Sequence, residues 1–183
     1  MRAIDVRDLL ETPGSSRTVH VEEPVPGLRT ELADVPEDTP IAADLTLESV
    51  VEGIFVRGSL EGRFAMRCAR CLKTFERDFD VEMTELVPRE PGPDDDYALE
   101  PDLTLDPEPI VRDAVVLEMP FSPLCRTDCL GLCEICGGDR NLGECPGHEV
   151  TDPRWDALDV LLQHLEAQPD QEPSDDDDRT TTS

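Results

Sequence analysis

The sequence predicts an α+β fold: an antiparallel β-sheet with a few helices packed on it, stapled by zinc knuckles. Three observations carry this reading. Apolar and polar residues alternate with period two through the stretches 44–56 and 74–83, the mark of half-buried antiparallel strands. Two later stretches open on Asp106-Pro107 and Asp152-Pro153 and then repeat apolar residues at helical spacing. Cysteines occur twice as C-x2-C, the spacing that sets two thiolates on one tetrahedral cation.

Taken in order, residues 1–14 read as a short amphipathic helix ending at Pro13-Gly14, with Val6, Leu9 and Leu10 as its apolar side. Residues 17–25 are strand-like and stop at Pro24 and Pro26, and a loop rich in turn formers follows. In the next stretch Leu45, Leu47, Val51 and Phe55 share one parity, against Asp44, Thr46, Glu48 and Glu52 on the other. Gly53, Gly58 and Gly62 suggest bulges, a tight turn or close backbone approach. A further strand sets Phe75, Phe79, Val81 and Met83 inward against Thr74, Glu76, Asp78, Asp80 and Glu82. Cys68 and Cys71 thus fall in the turn between two long strands.

Residues 88–108 read as a proline-rich, acidic, mobile loop. The helix after it takes Asp106 as N-cap and Pro107 at its first position, with Ile110, Ala114 and Leu117 along one face until Pro120. A cysteine cluster occupies 125–148. In the last helix Asp152 caps, and Trp155, Leu158, Leu162 and Leu165 form one face. The reading gives a β-rich core over 1–120, a cysteine-rich zinc knot with a C-terminal helix over 121–167, and a disordered acidic tail over 168–183.

Composition narrows the function. Aromatic content is 4%, with Trp155 and Tyr97 single of their kinds, so the core is short of apolar mass and a staple is expected. The formal charge is −27; the tail after Ala167 holds six acids and one base, leaving −22 on residues 1–167. Such a body repels phosphate backbones and attracts basic partners. The first sixteen residues are broken by Asp5, Arg7, Asp8 and Glu11, and no apolar run approaches the roughly 18 residues of a membrane span, so a cytoplasmic location is expected. Seven cysteines in a reducing compartment point to metal or redox chemistry before disulfides.

The ligand inventory is Cys68, Cys71, Cys125, Cys129, Cys133, Cys136, Cys145 and His148, enough for two complete tetrahedral sites and so for two zinc ions. One partition joins Cys68, Cys71, Cys125 and Cys129 in an all-thiolate site and Cys133, Cys136, Cys145 and His148 in a second. Another makes a single ribbon from the two C-x2-C pairs. Gly137 after Cys136 suits the left-handed turn of a knuckle. Catalytic readings fare worse. Cys129, Cys133 and Cys136 have the spacing of a radical-SAM cluster, yet only residues 137–183 follow where a large barrel is needed. A thioredoxin-like Cys68/Cys71 pair wants a helix after it, and the sequence there is strand-patterned. No enzyme is expected.

The blocks "LESVVEGIFVRG", "CARCL", "PIVRDAVVLEMPFSPLC", "GLCEICG…N…C" and "DPRWDAL", in that order, resemble the YceD family of bacterial proteins, known as large ribosomal RNA subunit accumulation proteins. The likeness runs from about residue 3 to 165. It implies a role in accumulation or processing of 23S rRNA and in large-subunit assembly, and no established catalytic activity. It also implies that the first C-x2-C pair is the family's common element and the GLCxxCG block an addition found in some members, which favours two separate ligand groups. His148 stands where many members end the block with cysteine.

The resemblance and the charge together suggest a protein that holds a basic ribosomal protein, or joins a pre-ribosomal large-subunit particle. A different class of reading is direct binding of rRNA precursor through Arg63, Arg67, Arg70, Lys73 and Arg77, which crowd around the first knuckle. The plainer reading of those five is that they neutralise thiolates and pair with the acidic sheet.

Overall fold

The computed structural model describes residues 1–148, 153–155, 158 and 161–162. In chain order the elements are β1 (Ile4–Asp5), α1 (Arg7–Leu10), β2 (Ser16–Glu23), β3 (Ala33–Asp34), β4 (Ile41–Ser49), β5 (Gly53–Arg67), β6 (Thr74–Pro88), β7 (Thr104–Leu105) and α2 (Glu108–Glu118). Two short 3-10 turns follow at Arg140–Leu142 and Pro153–Trp155. The chain divides into two compact units, Met1–Glu144 and Cys145–Ser183.

β5 is the spine of the first unit. It pairs antiparallel with β6 along its whole length, from Gly53↔Pro88 to Arg67↔Thr74. Its other edge is therefore shared by β4, from Ala42↔Glu61 to Ser49↔Ile54, and then β3 at Met66 and Ala65. β2 closes the far side on β4. Among the described residues β6 has no strand partner other than β5. β1 pairs separately with β7.

One face of this sheet is buried. Ile41, Ala43, Leu45 and Leu47 of β4, Ile54, Val56, Leu60, Phe64 and Met66 of β5, and Phe79, Met83 and Val87 of β6 join Val6 and Leu9 in the core. The expected single parity from Leu45 to Phe55 does not hold. The chain turns back between Ser49 and Ile54, where Val50 donates to the Gly53 carbonyl at 3.0 Å, so the inward parity changes from odd to even. Val51 sits in that turn, 92% exposed. Phe55 falls on the outward parity, half-buried.

Gly62 shows why one position tolerates no side chain. The Phe79 ring lies across it, so a Cβ there would come within 2.5 Å of the ring, which also stacks on Phe64 at 4.3 Å between centroids.

The N-terminal helix is a single turn, because Ile4 and Asp5 are drawn into pairing with Leu105 and Thr104. The acidic loop expected to be mobile is fastened by the same pairing. The Val6 N–H also donates to the Leu103 carbonyl at 3.1 Å, and Leu105 is fully buried. Tyr97 donates to Asp113 Oδ2 at 2.9 Å, and burial together with that carboxylate raises the phenol above its ordinary value.

Pro107 takes the N-cap place expected of Asp106, whose Oδ1 still accepts from the Glu108 N–H at 2.9 Å. The buried face is Ile110, Val111, Val115 and Met119, with the expected Ala114 half-buried against the core and the expected Leu117 off it. The i, i+4 row from Val111 meets the sheet, which leaves Leu117 85% exposed. In the second unit Trp155, Leu158, Leu161 and Leu162 are exposed; Asp152, Leu165 and the tail 168–183 lie outside the described residues.

Replacing Ile110 with Ala should cost about 2–5 kcal/mol in urea unfolding, as for a buried large-to-small change. Leu117→Ala should stay within about 0.5 kcal/mol of wild type, as an exposed site does. Equal costs would overturn the assignment of the packed face.

Candidate metal centre

β5 ends at Arg67 and β6 begins at Thr74, so Cys68 and Cys71 sit in a six-residue connection. Its backbone is pinned by Cys68 N–H to the Lys73 carbonyl and Leu72 N–H to the Cys68 carbonyl, both 2.9 Å. Leu72 adopts φ +60°, a left-handed turn that a branched side chain rarely takes. After α2 the chain returns past this turn: the Ala69 N–H donates to the Pro123 carbonyl at 2.8 Å, which carries Cys125 and Cys129 to the knuckle.

The four sulfurs converge. Cys68 and Cys129 Sγ are 3.8 Å apart and Cys71 and Cys125 Sγ 3.6 Å. A tetrahedral ion with metal–sulfur bonds of about 2.3 Å has edges of about 3.8 Å. The separations match those edges and are far beyond the ~2.05 Å of a disulfide. Cys68, Cys71 and Cys129 are buried and Cys125 half-buried.

Charge in this nest is unevenly distributed. Burial opposes the Cys68 thiolate, but backbone N–H groups of Cys125, Cys71 and Arg70 outweigh it and bring the thiol below its ordinary value. Burial, reinforced by the Cys71 and Cys68 thiols, pushes Cys125 well up. One thiol of the nest is thus held below its ordinary range while Cys71 and Cys125 are held above theirs. The donor set therefore fits a thiophilic ion, with all four positions filled by protein.

Cys133 and Cys136 lie in a tight turn in which the Gly137 N–H donates to the Cys133 carbonyl at 2.8 Å, with Gly137 at φ +72°. Cys145 Sγ and His148 Nδ1 are 3.3 Å apart. Cys68, Cys71, Cys125 and Cys129 each offer a ligand atom within 4.8 Å of the others, a group able to hold a metal ion, whereas Cys133 and Cys136 belong to the first unit and Cys145 and His148 to the second.

The five basic residues are mostly occupied. Arg63 bridges Asp78 at 2.7 Å and Glu76 at 3.5 Å. Arg70 Nη1 donates to the Cys129 carbonyl at 2.8 Å, and Lys73 Nζ meets Asp139 at 2.7 Å. Arg77 donates to the Leu124 carbonyl at 3.1 Å and lies over the Phe75 ring. Arg67 is exposed.

Two contributors escape a reading of the sequence. Asp139, 5% exposed, is held down to about 2 by Lys73 first and then by Asn141. Asn141 reaches Cys129 itself, its Nδ2 3.6 Å from the sulfur. An Asp–Arg–Asn turn is an ordinary surface signal; its pairing with Lys73 becomes visible only in three dimensions.

Residues 56–162 match the family model described as "Large ribosomal RNA subunit accumulation protein YceD". The chain belongs to the YceD family. The matched span contains β6, α2 and all eight ligand candidates. An uncharacterized protein of Mycobacterium tuberculosis (strain ATCC 25618 / H37Rv) is 36% identical over 168 residues, covering 87% of this chain and 80% of its own. An uncharacterized protein of Mycobacterium leprae (strain TN) is 31% identical over 167 residues, covering 86% and 76%. No solved structure matches. The membership agrees with the resemblance read from the cysteine blocks. Among the described residues of this YceD protein no helix is long and apolar enough to cross a membrane.

In the reduced chain as purified, iodoacetamide should label exposed Cys136 first. Cys68 and Cys129 should react at least about tenfold more slowly, because access limits a buried thiol whatever its acidity. Peptide mass spectrometry over time reads the order. Early labelling of Cys68 would contradict the closed nest.

Proposed function

We propose that this YceD protein is a non-enzymatic factor in large ribosomal subunit biogenesis that supports 23S rRNA accumulation and processing by holding a basic ribosomal protein. Two zinc ions, one in each ligand group, serve as scaffold in this reading. The family description supports the ribosomal setting. The observation that carries the mode of action is the open face of the sheet.

On that face strand register sets Glu22, Ala42, Glu61 and Asp80 in one row across four strands. The next row is His20, Asp44, Ser59 and Glu82. Glu61 and Asp80 stand directly opposite, a like-charge pair that destabilises an isolated sheet and that a bound cation relieves. Cations neutralise the flanks, Arg57 with Glu48 and Arg63 with Glu76 and Asp78. The excess negative charge is left in the middle, beside an open groove of about 700 Å³ lined by Pro36, Pro40, Glu61 and Asp80. Such a surface suits a lysine- and arginine-rich protein that would otherwise stick to RNA.

The contacts of Arg63, Arg70, Lys73 and Arg77 with protein groups weigh against direct RNA binding, since few cations remain to meet phosphates. A thiolate site with all four positions filled by protein leaves none open for a substrate, which supports a scaffold role over catalysis.

A cross-linking pull-down should recover a basic ribosomal protein at low salt and lose it as salt rises. Glu61→Lys with Asp80→Lys should cut recovery about tenfold or more, since like-charge contacts at an interface cost several kcal/mol. Recovery of no basic protein at either salt would sink the proposal, and nuclease-sensitive recovery of RNA by the chain alone would favour direct RNA binding.

Metal analysis should find about two zinc per chain, falling by one in Cys68→Ser, with chelation loosening residues 125–148 first in hydrogen exchange. A ratio near one would leave one ligand group empty and overturn the two-site reading.

A further inference from the structure

The first ligand group is not held by its own knuckle alone. Asn141, sixteen residues beyond Cys125, places its side-chain amide against Cys129. Its orientation is fixed by what surrounds it. Oδ1 accepts from two donors, the Leu130 N–H at 2.8 Å and Arg126 Nη2 at 2.6 Å. Nδ2 faces two acceptors, Asp139 Oδ1 at 2.8 Å and the Cys129 sulfur at 3.6 Å. Reversing the amide would set donor against donor and acceptor against acceptor, so only one orientation satisfies the network.

Asp139 is the anchor behind it. Its Oδ1 also accepts from the Asn141 N–H at 2.8 Å, and its Oδ2 meets Lys73 Nζ at 2.7 Å. Lys73 lies two residues beyond Cys71, so the network leaves one ligand of the site, crosses the loop, and returns to another ligand, Cys129. The loop is seated on the knuckle by backbone as well. The Leu132 N–H donates to the Arg70 carbonyl at 3.0 Å. Gly131 passes so close that a Cβ there would be 2.9 Å from that carbonyl oxygen.

We infer that Asn141 is a positioning residue for Cys129: its amide N–H donates to the sulfur presented to a metal ion, while Asp139 and Lys73 hold that amide in place. The inference rests on the reading that Cys68, Cys71, Cys125 and Cys129 hold a metal. It assigns the 131–144 segment a job at the first ligand group, whatever metal Cys133 and Cys136 themselves hold. A hydrogen bond to a thiolate disperses its charge and restricts its direction, and partners of this kind tune both the affinity and the electronic state of a metal site.

The test is cobalt(II) titration of the full-length chain with absorbance of the sulfur-to-cobalt charge-transfer band, paired with the rate of metal loss to a chelator. Wild type should develop the band. Asn141→Ala should shift it to lower energy, because the sulfur becomes more electron-rich, and speed metal loss about 10- to 100-fold. Asn141→Asp keeps an oxygen for Leu130 and Arg126 but sets a carboxylate oxygen beside the sulfur, and should shift the band further. This second variant decides the matter if Asn141→Ala fails to fold. Arg126→Ala, which removes a partner of the same side chain without touching the sulfur, should leave the band in place. An unshifted band in both Asn141 variants, or an equal shift in Arg126→Ala, would overturn the positioning role alone. A wild-type chain that binds no cobalt would overturn the metal reading and this inference with it.

Discussion

Four sulfurs within van der Waals reach of one another, most of them out of water, form an arrangement that a folded chain does not adopt without compensation. Thiols are weak hydrogen-bond formers, and thiolates repel; a cation at the centre turns both penalties into bonds. Here the convergence fastens the turn between β5 and β6 to the chain returning from α2. It joins positions more than fifty residues apart in sequence, and the closure of long loops is where a crosslink removes the most freedom from the unfolded chain. The rest of the first unit follows from that anchor. The fifteen-residue strands have one end held by it, and the loop through Asp139 and Asn141 is seated upon it.

Much of this was legible in the sequence because the relevant signals are local. A C-x2-C turn and a strand alternation each need only a few neighbouring residues, so the knuckle between two strands and the inward Phe79 and Met83 were readable. Errors arose where tertiary packing chose between local alternatives. Alternation cannot reveal where a chain folds back, and the turn at 50–52 reversed the parity that Val51 and Phe55 had suggested. Helical periodicity cannot say which of two adjacent stripes meets a sheet, and Val111, Val115 and Met119 were buried where Leu117 had been expected, with Ala114 at the margin of the packed face. The partners of Lys73 and Arg70 were beyond reach for a further reason. Their acceptors, Asp139 and the Cys129 carbonyl, lie about sixty residues away and look like ordinary surface groups in one dimension.

Both kinds of charge are therefore spent differently from what a count would suggest. The cations near the cysteines are largely turned to internal work, while on the open sheet face Arg57 and Arg63 neutralise the flanking acids and register leaves Glu22, Glu61 and Asp80 in one row between them. Net charge alone describes solubility. Its arrangement on a rigid sheet, with one direct acid–acid pairing at Glu61 and Asp80, concentrates negative charge on one face.

β6 adds a second consequence. A long strand with one edge unpaired among the described residues invites another copy of the same strand to lie alongside it, the first step toward sheet-to-sheet aggregation. Along this edge, however, Glu76, Asp78, Asp80 and Glu82 recur at every second position. Two such edges brought together would oppose carboxylates to carboxylates along the seam, whereas a basic strand would find them complementary. The spacing of these carboxylates thus makes the strand intolerant of its own copy.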